Sequence, residues 1–408
     1  MDFGTVALAG GFVVPKQFES EPKFKMRVVF CEQCYLLQIQ DRVPQDLLFK
    51  DYFYFSSAII TLKNHFKEYA KEVTSRFLNP LTATVVEIGC NDGVLVSPLA
   101  DLNIQNVIGV DPATNVVKTL ANPKVKIVND FFNESTAIEI LKEYGHADLI
   151  VANNVYAHVD DMRGLTRGIE KLLGVDGVFV FEVHYIRNLL EEFQYDMIYH
   201  EHLFYYSLLA LDNFLKSFGL EVFDVKPIPI HAGSMRYYVR RIGKLKKENI
   251  SPAVLKLRKQ ELESKYDKVE TYLDYADACN QKRINLMSLL NKLKTEGKVL
   301  FGYGASGRAN TIIQYCGMTN KTLNCIIDDA PAKHGFYTPG SHILIQSRDR
   351  IVQDNPDYVL IFAWSFIKEV ISKNMAYLEK GGKFIVPLPK VKIVSLKNGE
   401  IVWQDPEI

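Results

Sequence analysis

Hydrophobic and polar positions fall into two regimes along the chain: short apolar, β-branched runs ending in acids or asparagines, and longer polar stretches with apolar residues at helical intervals. Residues 1–70 are the least regular, with short β-type runs at 26–30 and 35–39. A helical pattern follows over 62–77. Strand-like runs then recur at 84–88, 106–110, 125–128, 147–152 and 177–183, separated by helical segments such as 164–173. Strands alternating with helices predict an α/β domain around a parallel sheet. Two further runs, 221–225 and 235–239, are joined through Pro227, Pro229 and Gly233, which predicts an antiparallel hairpin at the sheet edge. Over 246–296 the pattern becomes charged and helical, starting at Ser251-Pro252, and reads as one long helix or two with a solvated charged face. The runs at 299–301, 325–327, 358–364 and 383–387 predict a second compact α/β unit. The expected divisions are therefore 1–70, 71–245, 246–296 and 297–408.

Charge and composition narrow the partners. Lysine plus arginine and aspartate plus glutamate number 48 each in 408 residues, so no global field draws the chain to nucleic acid or an anionic membrane. No apolar stretch has the length of a membrane-spanning helix, and Met1-Asp2-Phe3-Gly4 opens without a secretory pattern, so a cytoplasmic location is expected. Six cysteines in a chain this long do not form a disulfide framework. Only Cys31 and Cys34 are closely spaced, as Cys-x-x-Cys; they read either as two reduced cysteines in a hairpin or as half of a four-ligand zinc site.

The chemistry gathers at strand ends. Glu87-Ile88-Gly89-Cys90-Asn91-Asp92-Gly93 closes the first strand of the 71–245 region with glycines that let a ligand approach the backbone. Asp111-Pro112 closes the second strand, at the spacing of an acid that accepts ribose hydroxyls. Asp130-Phe131 follows the third and Asn153-Asn154 the fourth. The first glycine motif lacks Gly-x-Gly-x-x-Gly, which disfavours a nicotinamide site. Between the fifth strand and the hairpin lies Tyr195-Asp196-Met197-Ile198-Tyr199-His200-Glu201-His202-Leu203-Phe204-Tyr205-Tyr206, dense in groups suited to proton transfer and oxyanion stabilisation. By itself this run is also compatible with an aromatic surface segment. Its position after a parallel strand puts Tyr199, Glu201 and His202 beside the ligand crevice, with His158 emerging on the same face. If the run is extended, His200 points elsewhere. In the last unit, Gly302-Tyr303-Gly304-Ala305-Ser306-Gly307-Arg308 is a Gly-x-Gly-x-x-Gly between a strand and a helix, open to a nicotinamide, another phosphate-bearing ligand or no ligand.

The order Glu-x-Gly-x-x-x-Gly, acid, Asp-Phe, Asn-Asn resembles class I methyltransferases. That resemblance implies S-adenosylmethionine as cofactor, held by Glu87, Gly89, Asn91, Gly93, Asp111, Pro112, Asp130, Phe131, Asn153 and Asn154. The whole chain further resembles the three-domain sugar C-methyltransferases that act on nucleotide-linked 4-keto deoxysugars. The matching strings are Asp51-Tyr52-Phe53-Tyr54-Phe55-Ser56-Ser57, Ile198-Tyr199-His200-Glu201-His202, His231-Ala232-Gly233-Ser234, Gly302 to Ala309, His334 to Gly340 and Phe384 to Pro389. The resemblance implies three parts: a small zinc-ribbon-like N-terminal domain, a Rossmann-like methyltransferase domain and a C-terminal Rossmann-like domain that helps bind the nucleotide sugar. It implies His202 as base, with Glu201 and Tyr199 orienting it or the substrate. His158 and Tyr54 would hold substrate oxygens, with Tyr52 nearby. Gly302, Gly304, Ser306, Gly307 and Arg308 would cradle the phosphates. Family members carry two cysteine pairs on one zinc, whereas here Cys31 and Cys34 form the single pair, so zinc occupancy stays open.

Overall fold

The computed structural model describes residues 1–49, 56–58, 60–245 and 249–406. The chain runs through β1 (Asp2–Ala7), β2 (Lys23–Phe30) and β3 (Leu37–Ile39), then the helix Ile60–Phe77. It continues through β4 (Thr84–Ile88), β5 (Asn106–Val110), β6 (Val125–Val128), β7 (Ala147–Asn153) and β8 (Leu173–His184). A short β9 (Phe204–Tyr205) precedes the hairpin β10 (Leu220–Ile228) and β11 (Ser234–Arg241).

The central sheet has the order β10-β11-β8-β7-β4-β5-β6. Strands β4 to β8 pair in parallel, and β11 enters antiparallel between β8 and β10. Val85, Val86, Ile108, Leu149 and Ile150 are fully or almost fully buried, as strands covered by helices on both faces require. In sheets of this kind ligands bind outside the carboxyl edge, where the segments after β4, β5, β7 and β8 gather.

The expected 1–70 unit does not close on itself. Its sheet has the order β1-β2-β3-β9, so its last strand comes from the end of the histidine-rich run. The N-terminal strands thus hold one end of that run in place.

The C-terminal unit is a second seven-stranded sheet. Its strands are β12 (Leu300–Tyr303), β13 (Ile326–Ile327), β14 (Ile345–Gln346), β15 (Tyr358–Ile361), β16 (Lys383–Val386), β17 (Lys392–Lys397) and β18 (Glu400–Gln404), in the order β14-β13-β12-β15-β16-β17-β18. Strand β15 stops at Ile361, short of the expected Trp364: Phe362 N–H makes the last ladder bond, to Tyr303 O at 2.9 Å, and Trp364–Phe366 form a 3-10 turn.

Two helices, Pro252–Glu263 and Val269–Thr295, join the units, and Ser251 caps the first by accepting Val254 N–H. The expectation of a wholly solvated charged face fails at Glu261, which is only 1% exposed. Its carboxylate accepts the N–H groups of Leu208 and Leu209 at 2.9 and 3.0 Å and the Tyr185 hydroxyl at 2.8 Å. The first N–H groups of the helix Leu208–Lys216 have no intrahelical partner, and the two carboxyl oxygens of Glu261 satisfy them.

Candidate active site

The crevice is built first by β4 and its loop. Gly89 and Gly93 both have left-handed φ, +71° and +87°. A Cβ on Gly89 would lie 2.2 Å from Val155 Cγ2, so only glycine fits against the segment that follows β7. Asp111, at the end of β5, accepts Asn91 N–H and Ala113 N–H, each at 2.8 Å, which folds the β4 loop over the β5 end. Burial raises its pKa against the pull of those two donors. Asn91 Oδ1 in turn accepts Ser56 N–H at 3.1 Å.

Glu87 is buried, which pushes its pKa well up. Glu87 Oε2 and both amide atoms of Asn153 are buried with no hydrogen-bond partner among the described residues. Unspent donor and acceptor capacity beside a glycine loop is what the amino acid and ribose portions of S-adenosylmethionine need, so the residues fit that cofactor. Asn154 N–H bonds Glu182 O at 2.8 Å, while exposed Asp130 accepts Phe131 N–H at 2.7 Å and Phe131 and Pro112 are half-buried.

The histidine-rich run is not extended. It contains a 3-10 turn over Tyr195–Met197, and a second turn closes when His202 N–H bonds Tyr199 O at 2.8 Å. His200 does face away, for a reason other than alternation: it is buried against β2, with Nε2 3.2 Å from Lys25 O. The turn brings the His202 ring 3.9 Å from that of Tyr199 and 5.0 Å from that of His158, centroid to centroid.

His202 Nδ1 lies 2.8 Å from Met197 O. A carbonyl only accepts, so Nδ1 carries the hydrogen and neutral His202 keeps a lone pair on Nε2. Burial, then the neighbouring His158, holds the His202 pKa well below 6.5. Burial, then His231, lowers that of His158 to about 4. Glu201 is half-buried and faces Gly10, where an added Cβ would sit 3.4 Å from Glu201 Oε1. Tyr52 and Tyr54 lie outside the described residues.

Further polar groups at this crevice had been given no role. His184, at the end of β8, lies 2.8 Å from Gln194 Oε1, and burial lowers its pKa to about 4. His231 occupies the turn before β11, with Gly233 at φ +105° packed against Asn188. His65 lies 2.9 Å from Glu182, a carboxylate that also accepts Arg236 Nε–H at 2.7 Å. The available signal was positional, since His184 ends its strand much as His158 follows β7.

The second glycine loop faces the same place. Gly307 lies against the Tyr199 ring, to which a Cβ would come within 3.7 Å. Ser306 caps its own helix, Gly307–Tyr315, by accepting Ala309 N–H at 3.2 Å. Gly304 N–H goes to Ile327 O at 2.7 Å, a Cβ on Gly302 would fall 2.7 Å from Phe362, and Ala305 N–H goes to Asp328 at 2.7 Å. Arg308 pairs with Asp196 of the histidine-rich run at 2.7 Å.

At the N-terminal hairpin, Cys31 and Cys34 are free thiols around a tight turn with Tyr35 at φ +59° and Tyr35 N–H bonded to Cys31 O at 2.8 Å. No group of three or more potential metal ligands occurs among the described residues. Two thiols do not complete the four-ligand set of a closed zinc site.

The central strand order, the glycine loop and the acid closing β5 define a class I S-adenosylmethionine-dependent methyltransferase. Family models for a methyltransferase domain, a C-methyltransferase C-terminal domain and a "Putative zinc binding domain" match residues 62–225, 229–389 and 1–49. The chain is 30% identical over 399 residues to the C-methyltransferase NovU of Streptomyces niveus, covering 98% of this chain and 94% of that one. It belongs to the C-methyltransferase family. A ubiquinone biosynthesis O-methyltransferase of Methylobacterium sp. (strain 4-46) is 38% identical over 85 residues, 21% of this chain and 34% of that one. Among solved structures, the CcbJ methyltransferase of Streptomyces caelestis matches with TM-score 0.34 and 17% identity over 43% of this chain and 89% of its own. Magnesium protoporphyrin IX methyltransferase of Synechocystis PCC 6803 matches with TM-score 0.33 and 12% identity over 44% and 83%. Among the described residues no helix is long and apolar enough to cross a membrane.

Proposed function

We propose that this enzyme methylates the carbon next to the ketone of a nucleotide-linked 4-keto deoxysugar. The observation that carries the reading is the pairing of His202 Nδ1 with Met197 O, because it leaves a neutral, desolvated Nε2 lone pair suited to removing a proton from carbon. A ketone makes the adjacent C–H acidic enough for such a base, provided the enolate oxygen is stabilised. The Tyr199 hydroxyl and the neutral His158 ring, both packed on His202, are the candidates to donate to that oxygen.

Glu87, Gly89, Asn91, Asp111, Asn153 and Asn154 would hold S-adenosylmethionine at the carboxyl ends of β4, β5 and β7. When bound, the cofactor supplies an electrophilic methyl group. Tyr199, His202 and His158 are half-buried, which limits the water that would reach the carbanion. The backbone N–H groups of Ser306, Gly307 and Arg308, at the start of the helix Gly307–Tyr315, would receive the substrate's diphosphate, since those of Gly304 and Ala305 are already bonded within the unit. In this division 71–245 carries donor and chemistry, 246–296 connects, and 297–408 contributes the nucleotide-sugar site.

The test is incubation with the methyl donor and a panel of nucleotide-linked 4-ketosugars, scored by mass and by the position of the new methyl. A ring hydrogen should exchange with deuterated water. Methylation on oxygen without such exchange would overturn the reading.

A further inference from the structure

We propose that Asp196 is a positioning residue through which the C-terminal unit fixes the place and tautomer of His202. The inference rests on the reading of His202 as the base. Asp196 is fully buried, and its Oδ2 accepts Arg308 Nε–H at 2.8 Å and Trp364 Nε1–H at 2.9 Å, with Arg308 NH2 also 2.7 Å away. Its Oδ1 makes no hydrogen bond among the described residues. The described bonds to this carboxylate therefore all come from the C-terminal unit.

The next residue links this grip to the base. Met197 O accepts His202 Nδ1–H at 2.8 Å and, more loosely, the Tyr205 hydroxyl at 3.4 Å. The intervening turn is stiff, closed by Met197 N–H to Gln194 O at 2.9 Å and Ile198 N–H to Tyr195 O at 3.1 Å. One residue further, Ile198 O accepts the Thr311 hydroxyl at 3.0 Å, a second hold from the same helix that carries Arg308. Displacing the Asp196 side chain must therefore move the Met197 carbonyl, and with it the acceptor that selects Nδ1–H over Nε2–H on His202.

A buried carboxylate left partly unpaired is costly, and geometry is what it gains here. A general base displaced by a fraction of an ångström, or carrying its proton on the wrong nitrogen, loses much of its rate. The C-terminal unit would then act on turnover as well as on substrate affinity.

The experiment uses the full chain labelled with 15N-histidine, without sugar or donor. Long-range 1H–15N spectra report the tautomer of each ring, and His202 is assigned by its loss in His202→Gln. Wild type should show His202 with Nδ1–H. Trp364→Phe, which removes the N–H donor together with part of the indole and keeps an aromatic ring, should shift His202 toward a mixture of tautomers, and Asp196→Asn, which changes only the carboxylate, should shift it further. In parallel, kcat should fall about 10- to 100-fold with the donor's calorimetric Kd unchanged. A His202 signature and kcat identical to wild type in folded Trp364→Phe and Asp196→Asn would overturn the proposal, as would an equal loss of donor binding. The tautomer is read with no substrate present, so it stands apart from which acceptor the enzyme methylates.

Discussion

His202 and His158 stack with ring centroids 5.0 Å apart, and neither ring is placed to gain from carrying a charge. Two imidazoliums at that distance inside a buried crevice would repel, so both remain neutral over the range in which an enzyme of this class works. A neutral base next to a neutral donor is what the proposed proton removal from carbon calls for.

Replacing His202 with alanine removes the proposed base and leaves the β4 loop untouched. Turnover should drop by about 10²- to 10⁴-fold, the usual range for a general base, while calorimetry finds donor binding unchanged. Loss of donor affinity in that variant would move His202 from chemistry to structure.

The pH dependence follows from the direction of the histidine shifts. The folded values of His158 and His184 are depressed to about 4 from an ordinary 6.5, so the unfolded chain binds more protons between those limits. Their contribution to stability is present above 6.5 and lost as pH falls toward 4. The acid limb of kcat/KM should likewise lie below 6.5, because His202 is shifted the same way. A pH–rate profile together with urea melts at several pH values checks both; a limb centred at or above 6.5 would contradict the neutral cluster.

The part of this arrangement legible in the sequence was the part encoded locally. Strand runs ending in Glu87 to Gly93, Asp111 and Asn153 mark a crevice because period and punctuation act within a few residues. Clustering of Tyr199 with His202 also came from nearness in the chain. Glu261 was misread as solvated, since nothing around it announces that it caps a helix starting at Leu208. Asp196 was passed over for a similar reason: its partners Arg308 and Trp364 lie more than a hundred residues away. His65, His184 and His231 converge only through the sheet order, which brings β11 beside β8.

Donor binding should fail in two distinguishable ways. Asp111→Ala removes the carboxylate that accepts Asn91 and Ala113 N–H and that would face the ribose, so affinity should drop about 10- to 100-fold by calorimetry, in line with about 1.5–3 kcal/mol for a charged hydrogen bond. Gly89→Ala acts by strain and collision, from its φ of +71° and the 2.2 Å approach to Val155 Cγ2, and should destabilise by about 1–3 kcal/mol. Adding Val155→Ala relieves the collision but not the φ penalty, so a double-mutant cycle should recover only part of the loss. Full recovery would mean that backbone conformation at Gly89 costs nothing.

Glu261 gives the connector its own pH dependence, of opposite sign to the histidines. Burial raises its folded pKa from 4.5 to about 7, overriding the hydrogen bonds from Leu208, Leu209 and Tyr185. The folded chain therefore binds the proton more tightly than the unfolded chain. Stability from this group is complete below 4.5 and declines as pH rises to about 7, by roughly 3 kcal/mol in all at 1.36 kcal/mol per pKa unit. Glu261→Gln removes the titration and keeps an amide oxygen to accept one of the helix N–H groups. Urea denaturation at pH 5.5 and pH 8 should then show wild type losing about 2 kcal/mol more than the variant across that interval. Parallel losses in the two proteins would show that the carboxylate is ionised throughout and that its three donors, rather than its burial, decide its state.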